Sequence, residues 1–468
     1  MTKRKPSLGL ALVPIVCAAI FLYVGIVLLE ADAQVPLLLA TVVAAFVGMS
    51  LGYNWKEMED AMIESIMMAM QSCVILMILG CIIGSWIGGG VIQTLIFYGL
   101  QILKPSYFLA AVCIICCIIS LATGSSWTTA GTMGIAALGI GYGLGIPPAV
   151  TAGAVISGAY FGDKMSPLSD TTNLAPAMAG SELFEHVQHM IYTTGPALII
   201  SLILYFIVGL KYAGGELDYT KINEMLTVMG DNFWINPILL IAPVLVVVMV
   251  ILKIPAIPGL IGATALGVIF SFIQGFGLAD VVGFVHYGYE SATGHEMVDA
   301  LLTRGGLDSM MWTISLIIIA LSFGGILEKT GCLEAIVNVI TSFAKTRGTI
   351  VLANVITCIL INFICADQYI AIVIPGRMFK PLYDEMKLHP KNLSRVLEDA
   401  GTMTSSFVPW NTCGAFMHTT LGVHPFAYVP YAFLNLLCPI ISVFYGYTGI
   451  TMEYITEETK DSAPTVGA

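Results

Sequence analysis

The sequence predicts an all-α polytopic membrane protein with two inverted-topology repeats, broken or re-entrant helices and about 10–14 membrane segments. Three observations predict this fold class: 57% of the 468 residues are hydrophobic, only 10% are charged, and the mean hydropathy is +0.89. A water-soluble domain averages about 25% charged residues and could not bury so much apolar surface. The composition therefore excludes a soluble enzyme, a disulfide-rich secreted protein and a disordered chain.

Apolar runs recur along the whole chain, and most are long enough to cross about 30 Å of hydrocarbon. The runs 127–146 and 366–379 are short for full crossings and are candidate re-entrant segments. The polar stretches 211–233 and 281–308 are too short for a catalytic domain, and the sequence shows no nucleophile–base signature. We therefore expect a protein that is not an enzyme and needs no cofactor. The other runs are 8–29, 35–53, 66–89, 107–123, 147–162, 190–210, 236–253, 257–276, 309–327, 349–364, 400–421 and 426–450.

The two halves of the chain match at a nearly constant offset, which predicts an internal repeat. We therefore divide the sequence into a first transmembrane repeat (1–212), a connecting loop (213–234), a second transmembrane repeat (235–452) and a polar C-terminal tail (453–468). The matching positions lie 242 or 243 residues apart and are Gly89 and Gly331, Trp127 and Tyr369, Pro147 and Pro390, Gly158 and Gly401, Pro167 and Pro409, and Pro196 and Pro439.

The distribution of basic residues predicts that the repeats are inverted. Five Lys or Arg residues lie in 377–395, whereas the matching stretch 135–152 has none. Loops rich in Lys and Arg stay in the cytoplasm, so equivalent loops face opposite sides of the membrane. We expect both termini in the cytoplasm, because fourteen of eighteen counted basic residues then lie inside. Inverted repeats are typical of secondary transporters; a duplicated membrane enzyme or a channel is the alternative.

Each half contains a polar segment broken by Gly and Pro, at 158–176 and at 398–414. Pro167 and Pro409 remove a backbone donor and disfavour helix in the preceding residue. In hydrocarbon, such a break is tolerated only when it is buried in protein or lines a watery cavity. Neutral oxygens with a carboxylate suit a hard cation such as Na⁺; the alternative is that they only cap helix ends. The candidate ion- or substrate-binding residues here are Asp163, Ser166, Ser169, Asp170, Thr171, Asn173, Ser405, Asn411 and Thr412.

A second pair of polar breaks precedes these, at 123–129 and at 366–369. The first adds the candidate ligands Ser125 and Ser126, and the second adds Asp367. An ionisable residue within a membrane span is a functional candidate by default. The alternative is an Asp at the membrane interface that caps the start of a helix.

These segments resemble the NhaC-type Na⁺/H⁺ antiporters of the ion transporter superfamily. The strongest match is Gly162 to Asn173, supported by Ala366 to Tyr369 and by Pro409 to Gly414, and the likeness covers the whole chain. The resemblance implies exchange of Na⁺ for H⁺ across a bacterial inner membrane, a homodimer, and an elevator-like movement of a transport unit. It leaves open a related activity, the exchange of malate and protons for lactate and Na⁺.

We therefore predict that Na⁺ and H⁺ compete for Asp170 and Asp367, with Asp163 as a third candidate. Burial favours the neutral carboxylic acid and bound Na⁺ favours the carboxylate, so exchange by alternating access needs no ATP. The main alternative is an organic-acid exchanger, in which backbone N–H groups at broken helix ends hold the substrate carboxylate. The expected partners are the lipid bilayer, Na⁺, H⁺, malate or lactate, and a second copy of the chain. A net charge of −11 gives no basic surface for nucleic acid.

Overall fold

The computed structural model describes residues 3–213, 219–252 and 254–455, and regular structure over these residues is helical. Within them no β-strand is formed, and only isolated bridges pair extended backbone. The all-α prediction is therefore confirmed. Residues 214–218 of the predicted connecting loop and residues 456–468 of the predicted tail lie outside the described residues.

Some helices of the first half start after a side chain that accepts from the helix backbone, as at Ser7, Asn54 and Ser125. Asn54 accepts from the Glu57 N–H at 2.9 Å while the Glu57 carboxylate accepts from the Asn54 N–H at 3.0 Å, a capping box that starts the longest helix. The helices are α1 (Leu8–Leu22), a π-helix (Tyr23–Leu28), α2 (Gln34–Ser50), α3 (Trp55–Gly88), α4 (Val91–Ile102), α5 (Pro105–Thr123), α6 (Ser126–Thr129), a π-helix (Ala130–Gly134), α7 (Ile135–Gly143), α8 (Pro148–Met165), α9 (Asp170–Ala179) and α10 (Leu183–Ala213).

The second half is also built of helices. Its first helix, Tyr219–Asn232, lies within the segment 213–234 that was predicted as the connecting loop. The helices are α11 (Tyr219–Asn232), a 3₁₀-helix (Pro237–Leu240), α12 (Ile241–Ile251), α13 (Ala256–Ile273), α14 (Leu278–His286), α15 (Glu296–Leu302), a 3₁₀-helix (Asp308–Met310), α16 (Met311–Lys329), α17 (Cys332–Ser342), α18 (Arg347–Ile364), α19 (Ile370–Glu385), α20 (Pro390–Val396), a π-helix (Leu397–Thr402), α21 (Met403–Ser405), α22 (Thr412–Leu421), α23 (Pro425–Tyr428), a 3₁₀-helix (Val429–Tyr431) and α24 (Phe433–Thr448).

Seven helices in the described residues are long and apolar enough to cross a membrane, and up to nine spans result if each bent helix pair is one span. The bent pairs turn by 94° near residue 234 and by 63° near residue 432. The predicted range of about 10–14 segments also counted shorter helices, some of which have 10–17 residues. The chain is a polytopic membrane protein, as predicted. The seven spans are Leu8–Ile26, Trp55–Gly88, Pro105–Thr123, Leu183–Ala213, Ala256–Ile273, Asp308–Lys329 and Arg347–Ile364.

The packing of α5 along α8 positions the polar end of α8. A Cβ atom at Gly162 would lie 2.0 Å from the backbone nitrogen of Leu121 and 2.1 Å from the carbonyl carbon of Ser120. Only glycine therefore allows this approach of the two helices. The next residue, Asp163, is consequently held close to the turn that ends α5.

Helix ends recur in the two halves at a spacing of 242 residues. Gly124 after α5 and Ala366 after α18 both adopt left-handed backbone, with φ of +64° and +56°. Ser169 is the residue before α9, and Asn411 is the residue before α22. Both of these helices end at a left-handed glycine. This spacing agrees with the offset in the sequence, while the inverted orientation of the repeats stays a prediction.

Candidate functional site

A cavity of about 330 Å³ lies at the broken segments of the first half, between α3, α8, α9, α12 and α13. Gln368 and Tyr369 of the second half also line it, so the cavity joins residues from both halves of the chain. Five of the twelve predicted site residues line the cavity, and they are Ser125, Ser126, Asp163, Asp170 and Thr171.

Asp163 lines the cavity with a carboxylate that accepts hydrogen bonds on both oxygens, and only 6% of the residue is exposed. The Ser126 hydroxyl donates to its Oδ2 atom at 2.5 Å, and the Ser169 hydroxyl donates to its Oδ1 atom at 2.7 Å. The Thr171 hydroxyl lies 3.1 Å from that of Ser169. Three hydroxyl oxygens therefore gather around one carboxylate, and hydroxyl and carboxylate oxygens are the donor set that a hard cation prefers.

The break between α8 and α9 is held by its own side chains. The Thr172 hydroxyl donates to the carbonyl oxygens of Asp163 and Lys164, at 2.8 and 2.9 Å. The Asn173 amide donates to the carbonyl oxygen of Pro167 at 2.8 Å, and the buried Ser166 hydroxyl accepts from a backbone N–H at 3.3 Å. Asn173 and Ser166 therefore stabilise the unwound segment and do not line the cavity.

Asp170 occupies a different position from Asp163. It is the first residue of α9, it is exposed, and it lines the cavity. The Tyr369 hydroxyl lies beside its carboxylate. Asp170 therefore presents its carboxylate to the cavity from the start of α9, beside a residue of the second half.

Asp367 caps the start of α19, as the structural alternative in the sequence suggested. Its Oδ1 atom accepts from the backbone N–H groups of Tyr369 and Ile370, at 2.8 and 3.1 Å. Its Oδ2 atom accepts from the Thr412 hydroxyl at 3.3 Å, and the residue is 3% exposed. The Thr412 N–H donates to the Ala366 carbonyl at 2.8 Å, so Asp367 ties the starts of α19 and α22 together outside the cavity lining.

Ser405 hydrogen-bonds to residues of both halves, whereas Asn411 binds Asn362 within the second half. The Ser405 hydroxyl lies 3.2 Å from the Tyr160 hydroxyl and donates to Gln368 Oε1 at 3.3 Å. The Asn411 amide donates to the side chain and the carbonyl of Asn362, both at 3.1 Å. Gln368 thus connects the interior of the second half to the cavity. The predicted residues that do not line the cavity are Ser166, Ser169, Asn173, Asp367, Ser405, Asn411 and Thr412.

Gly124→Ala is expected to destabilise the protein more than Gly145→Ala. Both glycines have left-handed backbone, with φ of +64° and +72°, so each substitution costs about 1–2 kcal/mol. At Gly124 the added Cβ would also lie 2.8 Å from the carbonyl carbon of Leu168 and 2.9 Å from the nitrogen of Ser169, whereas at Gly145 nothing lies within 4 Å. The clash should add about 1–3 kcal/mol. Thermal unfolding of the two purified variants checks this; equal shifts would contradict the packing described.

Most of the residues that line the cavity were outside the predicted site set, although the sequence contains a signal for two of them. Gln71 and Ser72 line the cavity from the middle of α3, where they form a polar pair within an apolar helix. Ser72 lies beside Tyr369. The apolar residues from α12 and α13 carry no such signal, because an apolar residue in a membrane helix is the ordinary case.

A second buried polar group joins the two halves, and its residues do not line the cavity. Lys164 does not pair with its neighbour Asp163 but forms an ion pair with Asp399, and both side chains are fully buried. The Thr193 hydroxyl also donates to Asp399 Oδ1, at 2.9 Å. Asp399 lies in the π-helix Leu397–Thr402, a distortion frequent at functional sites.

Glu398 lies beside this ion pair and is fully buried. Neither of its carboxylate oxygens has a hydrogen-bond partner in the part of the chain that the structure describes. Thr402 and Thr171 are near it. Glu398 has no ionisable counterpart in the first half, since the matching position, Val155, is apolar.

Comparison with known proteins gives one consistent family. The model of the Na⁺/H⁺ antiporter family matches residues 158–450, which include both broken segments. The Na⁺/H⁺ antiporter NhaC of Alkalihalophilus pseudofirmus is 38% identical over 96% of this chain and 97% of that protein. The malate-2H⁺/Na⁺-lactate antiporter of Bacillus subtilis is 38% identical over 92% of this chain and 93% of that protein. The arginine/ornithine antiporter ArcD of Halobacterium salinarum is 39% identical over 98% of this chain and 97% of that protein. The resemblance read from the motifs is confirmed, and this chain belongs to the Na⁺/H⁺ antiporter family.

Proposed function

We propose that this protein is a secondary transporter that exchanges Na⁺ for H⁺ across the membrane by alternating access. The observation that carries the proposal is the oxygen cluster around Asp163. Two hydroxyl groups within 2.7 Å hold its carboxylate at the cavity, and each of its oxygens keeps a lone pair for a cation. The NhaC relative from Alkalihalophilus pseudofirmus, 38% identical to this chain, supports Na⁺ and H⁺ as the exchanged ions.

Competition between the two cations follows from the burial of Asp163. An ionised carboxylate in a low-dielectric site is costly unless a cation neutralises it. Either a bound proton or a bound Na⁺ supplies that neutralisation, and each excludes the other. The site is therefore expected to cross the membrane mainly when loaded, which couples the movement of Na⁺ to that of H⁺.

Asp170 and Asp367 have distinct roles in this proposal. Asp170 stands exposed at the cavity, where it attracts cations and shares their coordination with Ser125, Ser126 and Thr171. Asp367 anchors the unwound start of α19 through three hydrogen bonds. It is the second membrane-embedded carboxylate at which Na⁺ and H⁺ compete, once these three hydrogen bonds are broken.

The proposed transport movement uses the breaks in both halves. Ser166, Ser169 and Asn173 order the break before α9. Ser405, Asn411 and Thr412 hydrogen-bond around the equivalent break before α22 in the other half.

We propose that the halves are inverted repeats, that the protein is a homodimer in a bacterial cell membrane, and that both termini are cytoplasmic.

The decisive measurement uses the purified full chain in liposomes that contain a pH-sensitive dye. A Na⁺ gradient is imposed with and without malate and lactate. We expect Na⁺ alone to drive proton movement in the opposite direction, and we expect protein-free liposomes to show none. A complete dependence on added malate or lactate would overturn Na⁺/H⁺ exchange.

The second candidate function is the exchange of malate for lactate coupled to H⁺ and Na⁺. The Bacillus subtilis relative supports it, as does the volume of the cavity, about 330 Å³, because small-molecule sites begin near 300 Å³. The backbone N–H groups at the start of α9 are the nearest anion-binding groups. Asp170 stands at that same helix start and repels a carboxylate, so we favour Na⁺/H⁺ exchange.

A further inference from the structure

The cavity around Asp163 is larger than Na⁺ and H⁺ require. Its volume is about 330 Å³, whereas one water molecule takes about 30 Å³ of liquid volume. A dehydrated Na⁺ ion is smaller still. Na⁺ held at Asp163 would therefore leave most of the cavity volume for another ligand.

The walls of the cavity differ in chemistry. One wall carries hydroxyl, amide and carboxylate groups from α3, α8, α9 and the turn after α5. The other wall, here called the apolar wall, comes from α12 and α13. An apolar wall gives water no hydrogen bonds, so it favours a ligand with an aliphatic part. The apolar wall consists of Val246, Met249, Ile254, Ala256, Gly259 and Leu260.

The charged residues that line the cavity determine whether such a ligand should be a cation or an anion. Asp163 and Asp170 both line it, and among the lining residues that the structure describes there is no Lys, Arg or His. A ligand with a positive charge is attracted by both carboxylates, whereas an organic anion is repelled. A primary ammonium group has three donors, which suit the free lone pairs of the Asp163 carboxylate.

We propose that the cavity also binds a small organic cation, with a primary ammonium group and a short aliphatic chain, in place of Na⁺. The ammonium group lies at Asp163 and the aliphatic chain lies against the apolar wall. This inference rests on the proposed function in one respect: the same carboxylate holds either cation. It goes beyond that function because it names a class of organic substrate.

Gly259 offers a variant that separates the two cations. A Cβ atom built on Gly259 meets only Ile254 Cγ2, at 4.0 Å, so Gly259→Leu fills space at the apolar wall without a backbone clash. It adds no charge and removes no oxygen of the Asp163 cluster. Gly195→Leu in α10 is the matched control, because its Cβ atom meets only Ile191, at 3.8 Å, and it does not line the cavity.

The test measures binding of n-propylammonium and of Na⁺ to the purified full chain by calorimetry, in potassium buffer at constant ionic strength. We expect saturable binding of both cations and mutual competition. Gly259→Leu should weaken propylammonium binding about ten-fold or more, the scale of a changed hydrophobic pocket, and Na⁺ binding less than about three-fold. Asp163→Asn should weaken both, and Gly195→Leu neither.

The outcomes distinguish this inference from the proposed function. Na⁺ binding without saturable propylammonium binding would overturn the inference and leave Na⁺/H⁺ exchange intact. Propylammonium binding without Na⁺ binding would uphold the inference and overturn Na⁺/H⁺ exchange. Propylammonium binding that Gly259→Leu does not weaken would place the ligand outside the cavity and overturn the inference.

Discussion

Replacing Asp163 with Asn is expected to abolish Na⁺-driven proton movement in liposomes. Asn has the shape of Asp and can still accept from Ser126 or Ser169, so the variant should fold, but it carries no charge. At an effective dielectric constant of about 20, a carboxylate attracts a cation 4 Å away by about 4 kcal/mol. That energy corresponds to roughly a 1,000-fold change in binding, so transport should fall to the background of empty liposomes.

Asp60→Asn is the matched control for this substitution. Asp60 is exposed on α3 and forms an ion pair with Lys56 at 3.0 Å, so its loss should change transport less than about two-fold, because surface pairs contribute little. Thermal unfolding of both variants shows whether each is folded. Normal transport by a folded Asp163→Asn protein would contradict the assignment and transfer the competition site to Asp170 or Asp367.

Local chemistry made the helix breaks predictable from the sequence. Pro167 and Pro409 act only on their own backbone and on the residue before them, so their effect needs no knowledge of the fold. The structure places breaks at both positions, and the helices after them start at Asp170 and Thr412. The residues at these breaks were therefore predicted, whereas their hydrogen-bond partners were not.

The partners of Asp163 and Lys164 were not predictable, because they depend on contacts between distant segments. Adjacent residues on a helix point in different directions and do not face each other. Asp163 consequently binds Ser126, while Lys164 pairs with Asp399, 235 positions away. Only the packing of α8 between the two halves brings these groups together, and no periodicity in the sequence encodes it.

The start of α3 shows a different limit of prediction from hydropathy. The apolar run begins at residue 66, but the helix begins at Trp55 and has 34 residues. The extra turns carry acidic residues, among them Glu57, Glu59 and Asp60, which lower the hydropathy of this part of the helix. The capping box of Asn54 and Glu57 is the local signal that marks the true start.

Replacing Lys164 with Gln is expected to destabilise the protein by about 3–5 kcal/mol, because breaking a buried ion pair leaves an uncompensated charge. The charge left behind is that of Asp399, which is fully buried with Glu398 as its neighbour. Lys56→Gln removes one partner of an exposed pair and should cost less than about 1 kcal/mol. Thermal unfolding of the purified variants in detergent measures both effects.

The double variant Lys164→Met, Asp399→Leu separates the charge of the pair from its volume. Apolar residues of similar size often replace a buried ion pair without loss of stability, so the double variant should recover most of what Lys164→Gln loses. Neither partner lines the cavity, and the pair holds α8 against the π-helix Leu397–Thr402. Na⁺-driven transport should therefore recover together with stability. A stable double variant without transport would contradict this role and place the pair in the ion pathway itself.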